Sequence, residues 1–308
     1  MKAIGVILVL GALSLPAYAQ TKVDERRPAA KDAVVEIENL AGSVKVIAWK
    51  NAEVQVTGTL GAGVEELRFS GGPERLQISA EMGEGAGGWH GRHGAAAGAD
   101  LEVRVPEASR VRVEGFASSV QAEGLAGRLE VETVNGSIAV KGGTAALELQ
   151  SVNGAVEIDG AAQRVEASSV NGRVTIRSAG GDVEASSVSG GVEVSGASYS
   201  RVELEAVSGA LRFTGALTPN ASLELQTVSG EVELELPAEQ GAAVSVSTFT
   251  GQIRTDFAEA PAPEKTSRHT PEKELRFTIG SGGARIQIET LSGSVNIRKA
   301  GAARKTTK

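Results

Sequence analysis

The stretch Ala167–Ser178, ASSVNGRVTIRS, decides the fold. Asn-Gly between two apolar runs is a strong short-range signal for a β-hairpin. Near-copies of the stretch nevertheless recur along the chain. With the glycine of each copy as position zero, the series is Gly42, Ser118 in place of glycine, Gly136, Gly154, Gly172, Gly190, Gly209, Gly230, Gly251 and Gly293. From 118 onward the steps are 18, 18, 18, 18, 19, 21, 21 and 42, the last equal to two steps of 21 with a Pro-rich interruption, Glu259 to Pro271, inside it. A period near 20 residues marks a repeat architecture.

Apolar residues hold fixed places in the repeat. Two before the glycine stand Leu40, Phe116, Val134, Val152, Val170, Val188, Val207, Val228, Phe249 and Leu291; two after it stand Val44, Val120, Ile138, Val156, Val174, Val192, Leu211, Val232, Ile253 and Val295. Seven and five before it come pairs such as Leu129 with Val131, Leu147 with Leu149, and Val202 with Leu204. A hairpin at Asn171-Gly172 would put Val170 and its equivalents on the polar face. One continuous strand puts Val170, Gly172, Val174 and Ile176 on a single inward face, because side chains alternate with period two. The phase then slips between Ala167 and Val170, which predicts a corner at Ser168-Ser169. The expected fold is all-β, a single-stranded parallel β-solenoid (β-helix) of about 18–21 residues per coil. Hairpin repeats are the alternative. Crossovers between parallel strands are right-handed in the great majority of cases, which favours a right-handed wind, although an 18-residue coil also suits a left-handed triangular helix. Stacked glycines at position zero imply a close approach or a bend. The residues before them, Asn135, Asn153, Asn171, Ser189, Ser208, Ser229, Thr250 and Ser292, form an expected outward polar ladder.

Composition agrees. The 308 residues are 41% hydrophobic but 3% aromatic, with 39 glycines and a net charge of −7. Val, Ala, Leu and Ile with glycine favour strands and turns, and the negative balance gives no overall support for nucleic acid or anionic lipid. Lys2, the apolar run Ala3 to Leu15 and Ala17-Tyr18-Ala19 read as a secretory signal cleaved after Ala19, so a periplasmic or secreted location is expected, with no stable membrane insertion. There is no cysteine, hence no disulfide and no lipid attached through one. The expected organisation is a signal at 1–19, a flexible linker at 20–33, and a β-rich N-terminal part at 34–110 with a Gly-rich loop at 83–99. Solenoid repeats follow at 111–299 with a Pro-rich loop at 258–273, then a basic tail at 300–308.

The leader, the stretch LEVRVPEASRVRVEG at Leu101–Gly115, and the serial SVNGxV and SVSGxV repeats together resemble the bacterial "putative-adhesin" family of exported β-strand-repeat proteins, a domain of unknown function. The resemblance covers nearly all of the mature chain. It implies a β-solenoid in or outside the cell envelope and supplies no catalytic residues.

Few residues point to chemistry. Glu130, Glu148, Glu166, Glu184, Glu203 and Glu224 each follow the first inward apolar position of a coil. On a parallel stack they form an outward row at about 4.8 Å spacing, either a site for divalent cations or a basic partner, or a solvated face that discourages sideways pairing. His90 and His93, in a Gly-rich loop, are weak metal candidates without a second ligand pair, and His269 has no evident partner. No nucleophile elbow, phosphate cradle or basic–aromatic platform is present, and Trp49, Trp89 and Tyr199 are isolated in sequence. The expectation is a non-enzymatic scaffold or adhesin-like surface that needs no cofactor, with an envelope protein or glycan surface as partner and end-to-end self-association through open stack ends. Two alternatives stand beside it. One is an envelope-stress or ligand-sensing accessory protein that binds glycan or a membrane-protein partner through the loops at 83–99 and 258–273; the other is a polysaccharide lyase or hydrolase.

Overall fold

The structure, a computed structural model, describes residues 21–61, 63–82, 98–143, 146–178, 180–265 and 271–301. The leader at 1–19, Trp89, the three histidines and residues 302–308 of the tail lie outside the described residues. Among those described, every regular element is a strand. The first seven are β1 (Thr21–Pro28), β2 (Val34–Trp49), β3 (Glu53–Leu60), β4 (Val64–Gly72), β5 (Arg75–Met82), β6 (Ala99–Pro106) and β7 (Arg110–Glu123). The regular repeats contribute β8 (Leu129–Thr133), β9 (Ile138–Lys141), β10 (Ala146–Ser151), β11 (Val156–Asp159), β12 (Arg164–Ser169), β13 (Val174–Ser178) and β14 (Gly181–Ser187). Two long strands follow, β15 (Val192–Ala206) and β16 (Leu211–Thr227), then β17 (Val232–Leu236), β18 (Ala242–Thr248) and β19 (Ile253–Thr255). The chain closes with β20 (Glu264–Lys265), β21 (Lys273–Ile279), β22 (Ala284–Thr290) and β23 (Val295–Lys299).

Each repeat lays one strand on each of two walls. On the first wall β8, β10, β12 and β14 pair parallel and in register, followed by the later halves of β15 and β16. On the second wall β9, β11 and β13 do the same, followed by the earlier halves of β15 and β16. β12 and β13, which flank Asn171-Gly172, pair with β10 and β14 and with β11 and β15, not with each other. Asn-Gly marks a bend between walls, and the hairpin alternative fails.

The expected phase fails as well. Ala167 and Ser169 are buried, Val170 is exposed, and Val174 and Ile176 are buried again. The inward parity of the first wall thus runs through Ser169. The corner is Val170 to Arg173, two residues later than expected, and Val170 points out of the core. The reason is a hydroxyl. Ser169 Oγ accepts from Gly172 N–H at 2.9 Å and donates to Gly154 C=O of the coil below at 3.0 Å. Ser151 and Ser187 repeat the pattern with Gly154 and Gly136, and with Gly190 and Gly172. Two corner backbone groups are satisfied by one small inward side chain, where burial without a partner is costly.

Stacked corners leave no room at position zero. A Cβ on Gly172 would stand 1.9 Å from the Gly154 carbonyl oxygen, and one on Gly154 would stand 1.8 Å from that of Gly136. The close approach is to the coil beneath rather than to the facing wall. Outside the corner, Asn171 Nδ2 donates to Asn153 Oδ1 and Asn153 Nδ2 to Asn135 Oδ1, each at 2.7 Å, which makes three rungs of the polar ladder.

The sheet is mixed rather than wholly parallel, and coil order departs from chain order at both ends. β22 pairs with β16 on one side and β18 on the other; β23 lies between β17 and β19 in the same way. The coil carrying Gly293 therefore sits between those of Gly230 and Gly251, and the step of 42 does not mark two coils laid end to end. At the other end β2 lies between β7 and the pair β5 and β6. Antiparallel strands finish the stack: β4 on β5, β3 on β6, β1 on β3, and β21 on β18 with β20 beyond it. The segment expected as a linker at 20–33 is thus tied down, since Thr21–Pro28 is strand β1 and Ala29 and Ala33 are buried.

Between the walls runs one apolar core, from Val35 and Ile37 through Leu129, Val174, Ile176 and Leu204 to Ile286 and Ile297. Each fully buried Val or Leu contributes about 1.5–3 kcal/mol. Tyr199 is part of this core, edge-on to Phe213 at 5.5 Å with its hydroxyl donating to Ser195 C=O at 2.8 Å.

Candidate functional site

The late corner builds a groove. Its floor is the last outward row of the first wall: Glu114, Glu132, Gln150, Ser168, Ser186, Glu205, Gln226, Glu289 and Ser247. Its side is formed by the column at position −2 from Val134 to Phe249, with Leu40 and Phe116 continuing the column beyond it. That column reads Leu40, Phe116, Val134, Val152, Val170, Val188, Val207, Val228, Leu291 and Phe249 in spatial order, and all but Val134 are between 37% and 54% exposed. One apolar side chain per coil therefore stands in solvent, about 4.8 Å above the last. Monomeric proteins scatter exposed apolar residues singly; a contiguous file of them marks a contact surface. The groove holds about 1140 Å³ and extends from the coil of Gly115 to that of Phe249.

Its backbone is already engaged. In the corner, Val170 N–H donates to Ser151 C=O at 3.2 Å and Asn171 N–H to Val152 C=O at 2.8 Å; Val188 and Ser189 continue the series onto Ser169 and Val170. The groove can therefore recognise side chains but offers no strand edge.

Its charge has one sign. Among the described residues the lining carries five carboxylates, Glu114, Glu132, Glu205, Glu272 and Glu289, and no Lys, Arg or His. Arg112, outside the lining, bridges Glu114 at 2.6 Å, Glu130 at 2.7 Å and Glu132 at 3.3 Å. The hydrogen bond with Glu114 holds the Arg112 guanidinium above its ordinary pKa against the opposing effect of desolvation, and the three carboxylate charges add to the rise. Arg112 thus stays charged and offsets the first two glutamates. Glu205, Glu272 and Glu289 have no ion pair among the described residues. The corner hydroxyls of Ser151, Ser169 and Ser187 are bound to backbone. Ser168 and Ser186 face out, and although Glu205 is the register partner of Ser186, no hydrogen bond joins the two among the described residues. Nothing there supplies an activated nucleophile.

The structure brings the predicted glutamates together. Glu130, Glu148, Glu166, Glu184, Glu203 and Glu224 are successive partners on the outer face of the first wall. Arg112 pairs with Glu130, Arg128 with Glu148 and Arg201 with Glu203. Among the described residues no group of three or more His, Asp or Glu is placed to hold a metal ion. The weak metal candidates His90 and His93 lie outside the described residues. Trp49 donates its indole N–H to Glu53 C=O at 2.9 Å, with Arg104 over the ring at 5.9 Å, and belongs to no pocket with Tyr199.

Sequence reasoning found the column at position −2 but faced it inward. The signal for the true phase is the hydroxyl at position −3 in Thr133, Ser151, Ser169, Ser187, Thr227, Thr248 and Thr290. It continues the inward parity of the apolar residues at −7 and −5, and only then does the chain turn.

A family model described as Toastrack DUF4097 matches residues 100–298. The chain belongs to the Toastrack DUF4097 family. The match spans the coils that build the groove and leaves β1 to β5 outside. No curated protein matches the Toastrack chain. Among solved structures it is similar to a "putative adhesin" from Bacteroides fragilis, at 13% identity over 92% of this chain and 98% of that one, with a TM-score of 0.45. A "putative cell adhesion protein" from Clostridium sporogenes matches at 10% identity over 91% and 100%, TM-score 0.29. A "putative adhesin" from Parabacteroides merdae matches at 7% identity over 90% and 95%, TM-score 0.31.

Proposed function

We propose that this chain is a non-enzymatic docking protein, exported to the cell envelope, and that the groove along its corners is the working surface. One observation carries the reading: ten coils place an apolar residue at the same outward position. Core packing does not require it, since the inward position of the corner is already filled, in seven of the ten coils by a hydroxyl. A fully buried Val contributes about 1.5–3 kcal/mol, so each half-exposed rung leaves roughly 1 kcal/mol to be gained by a partner. Summed along the column this is about 10 kcal/mol, comparable with the 4–15 kcal/mol cost of association. Specific, moderate binding by an elongated partner is within reach. Export rests on the leader from Lys2 to Ala19.

The test is site-specific photo-crosslinking in the cells that make the protein. A photoreactive residue at Val170 should yield a discrete protein adduct. The same residue at Glu157, exposed on the second wall, should yield none. Equal labelling from both faces, or no adduct at Val170, defeats the proposal.

A further inference from the structure

We infer that the groove accepts an amphipathic α-helix of a partner protein, laid along the stack with one apolar stripe against Val134–Val228 and Lys or Arg on its flanks. The inference rests on the docking reading above and adds the shape and charge of the occupant.

Spacing selects the helix. The rungs repeat every 4.8 Å or so, and an α-helix returns one residue to the same face every 5.4 Å or so. The two drift apart by about 0.6 Å per turn, so a helix centred on Val170 keeps within half a rung for about four turns on either side. An extended segment returns a side chain every 6.6–6.8 Å or so, and loses half a rung within two steps. The corner N–H groups of Val152, Val170, Val188 and Val207 are all bound to the coil beneath, so a strand would also find no backbone partners.

Charge selects the flanks and excludes a second copy. Among the described residues, Glu205, Glu272 and Glu289 line the C-terminal end without ion pairs, and no cation lines the groove. Two copies would bring those carboxylates together on chains that each carry −7. A basic helix is drawn in, and its attraction weakens with salt.

The experiment places a photoreactive residue at Val134, Val152, Val170, Val188, Val207 and Val228 in turn and maps the attached partner residue by mass spectrometry. A helix predicts that the attachment point moves by three or four residues per rung, within a segment rich in Lys and Arg toward the Glu205 end. A movement of one or two residues per rung, or a segment without basic residues, overturns the helix and leaves the docking surface standing. Absence of adducts at every rung removes both.

Discussion

Gly172→Ala is the sharpest probe of the corner. The added methyl would stand 1.9 Å from Gly154 O, 2.5 Å from Gly154 C and 2.7 Å from Ser169 Oγ. Ordinary contact begins near 3.4 Å, so the two coils must part by roughly 1.5 Å at a place where their spacing is about 4.8 Å. That movement breaks the bond from Gly172 N–H to Ser169 Oγ and the bond from Ser169 Oγ to Gly154 C=O, each worth about 0.5–1.5 kcal/mol net. Overpacking strain adds about 1–3 kcal/mol. The expected loss is about 2–6 kcal/mol, large against a usual total of 5–15 kcal/mol. Gly72→Ala is the control: a Cβ there meets nothing within 4 Å and no unusual φ forbids it, so it should be neutral or stabilise by up to about 1 kcal/mol. Urea unfolding followed by circular dichroism compares the two. Adding Ser169→Ala to Gly172→Ala should cost little more, because both bonds are already lost. If Gly172→Ala lies within about 0.5 kcal/mol of Gly72→Ala, the close-stacked corner is refuted.

Three further outcomes are expected. Val174→Ala, at a position with no exposure, should cost about 2–3 kcal/mol in the same assay, and Val170→Ala about 1 kcal/mol or less; equal costs would return Val170 to the core. Removal of residues 282–308 should abolish hydrogen-exchange protection across β19, which loses its parallel partner β23, whereas β18 keeps β21. Protection surviving there would show that coils stack in chain order. Glu166→Gln, between Glu148 and Glu184 in the carboxylate row, should raise stability by up to about 1 kcal/mol at low salt and by little at 0.5 M NaCl; a gain independent of salt would mean that repulsion along the row is not the cause.

The repeat, its two-wall plan and the carboxylate row were legible because each is written as a period. Stacking makes a residue's neighbour the residue one period away, so Glu148 facing Glu130 and Glu166 follows from spacing alone. The phase at the corner was not legible from apolar residues, because Val at −2 and Val at +2 read alike. The hydroxyl of Ser169 tells them apart, through bonds to groups that a period count does not display. Coil order at the ends was hidden for another reason. The step of 42 fits two coils in line, and it fits equally a chain that passes outward through β18 and β19, reverses in β21 and re-enters as β22. Those placements share one length and differ only in which faces are paired.

That same re-entry explains why the flank rather than the ends is the surface to which function is assigned. An open solenoid end is a row of free backbone groups and invites another strand. Here the first wall is closed by reversed strands, β4 at one end and β21 with the two-residue β20 at the other. The second wall starts at β1, TKVDERRP, whose charges and final proline oppose further pairing, and stops at β19, three residues long. The stack thus spends reversed strands and charge on blocking its ends. Along the corner column nothing comparable occurs: no Lys or Arg interrupts the file from Leu40 to Phe249, although a single charged rung would suffice to break an apolar strip. Protection of one surface and continuity of the other are opposite solutions to the same hazard of unwanted contact, and the difference is intelligible if the column is kept apolar because something is meant to lie on it.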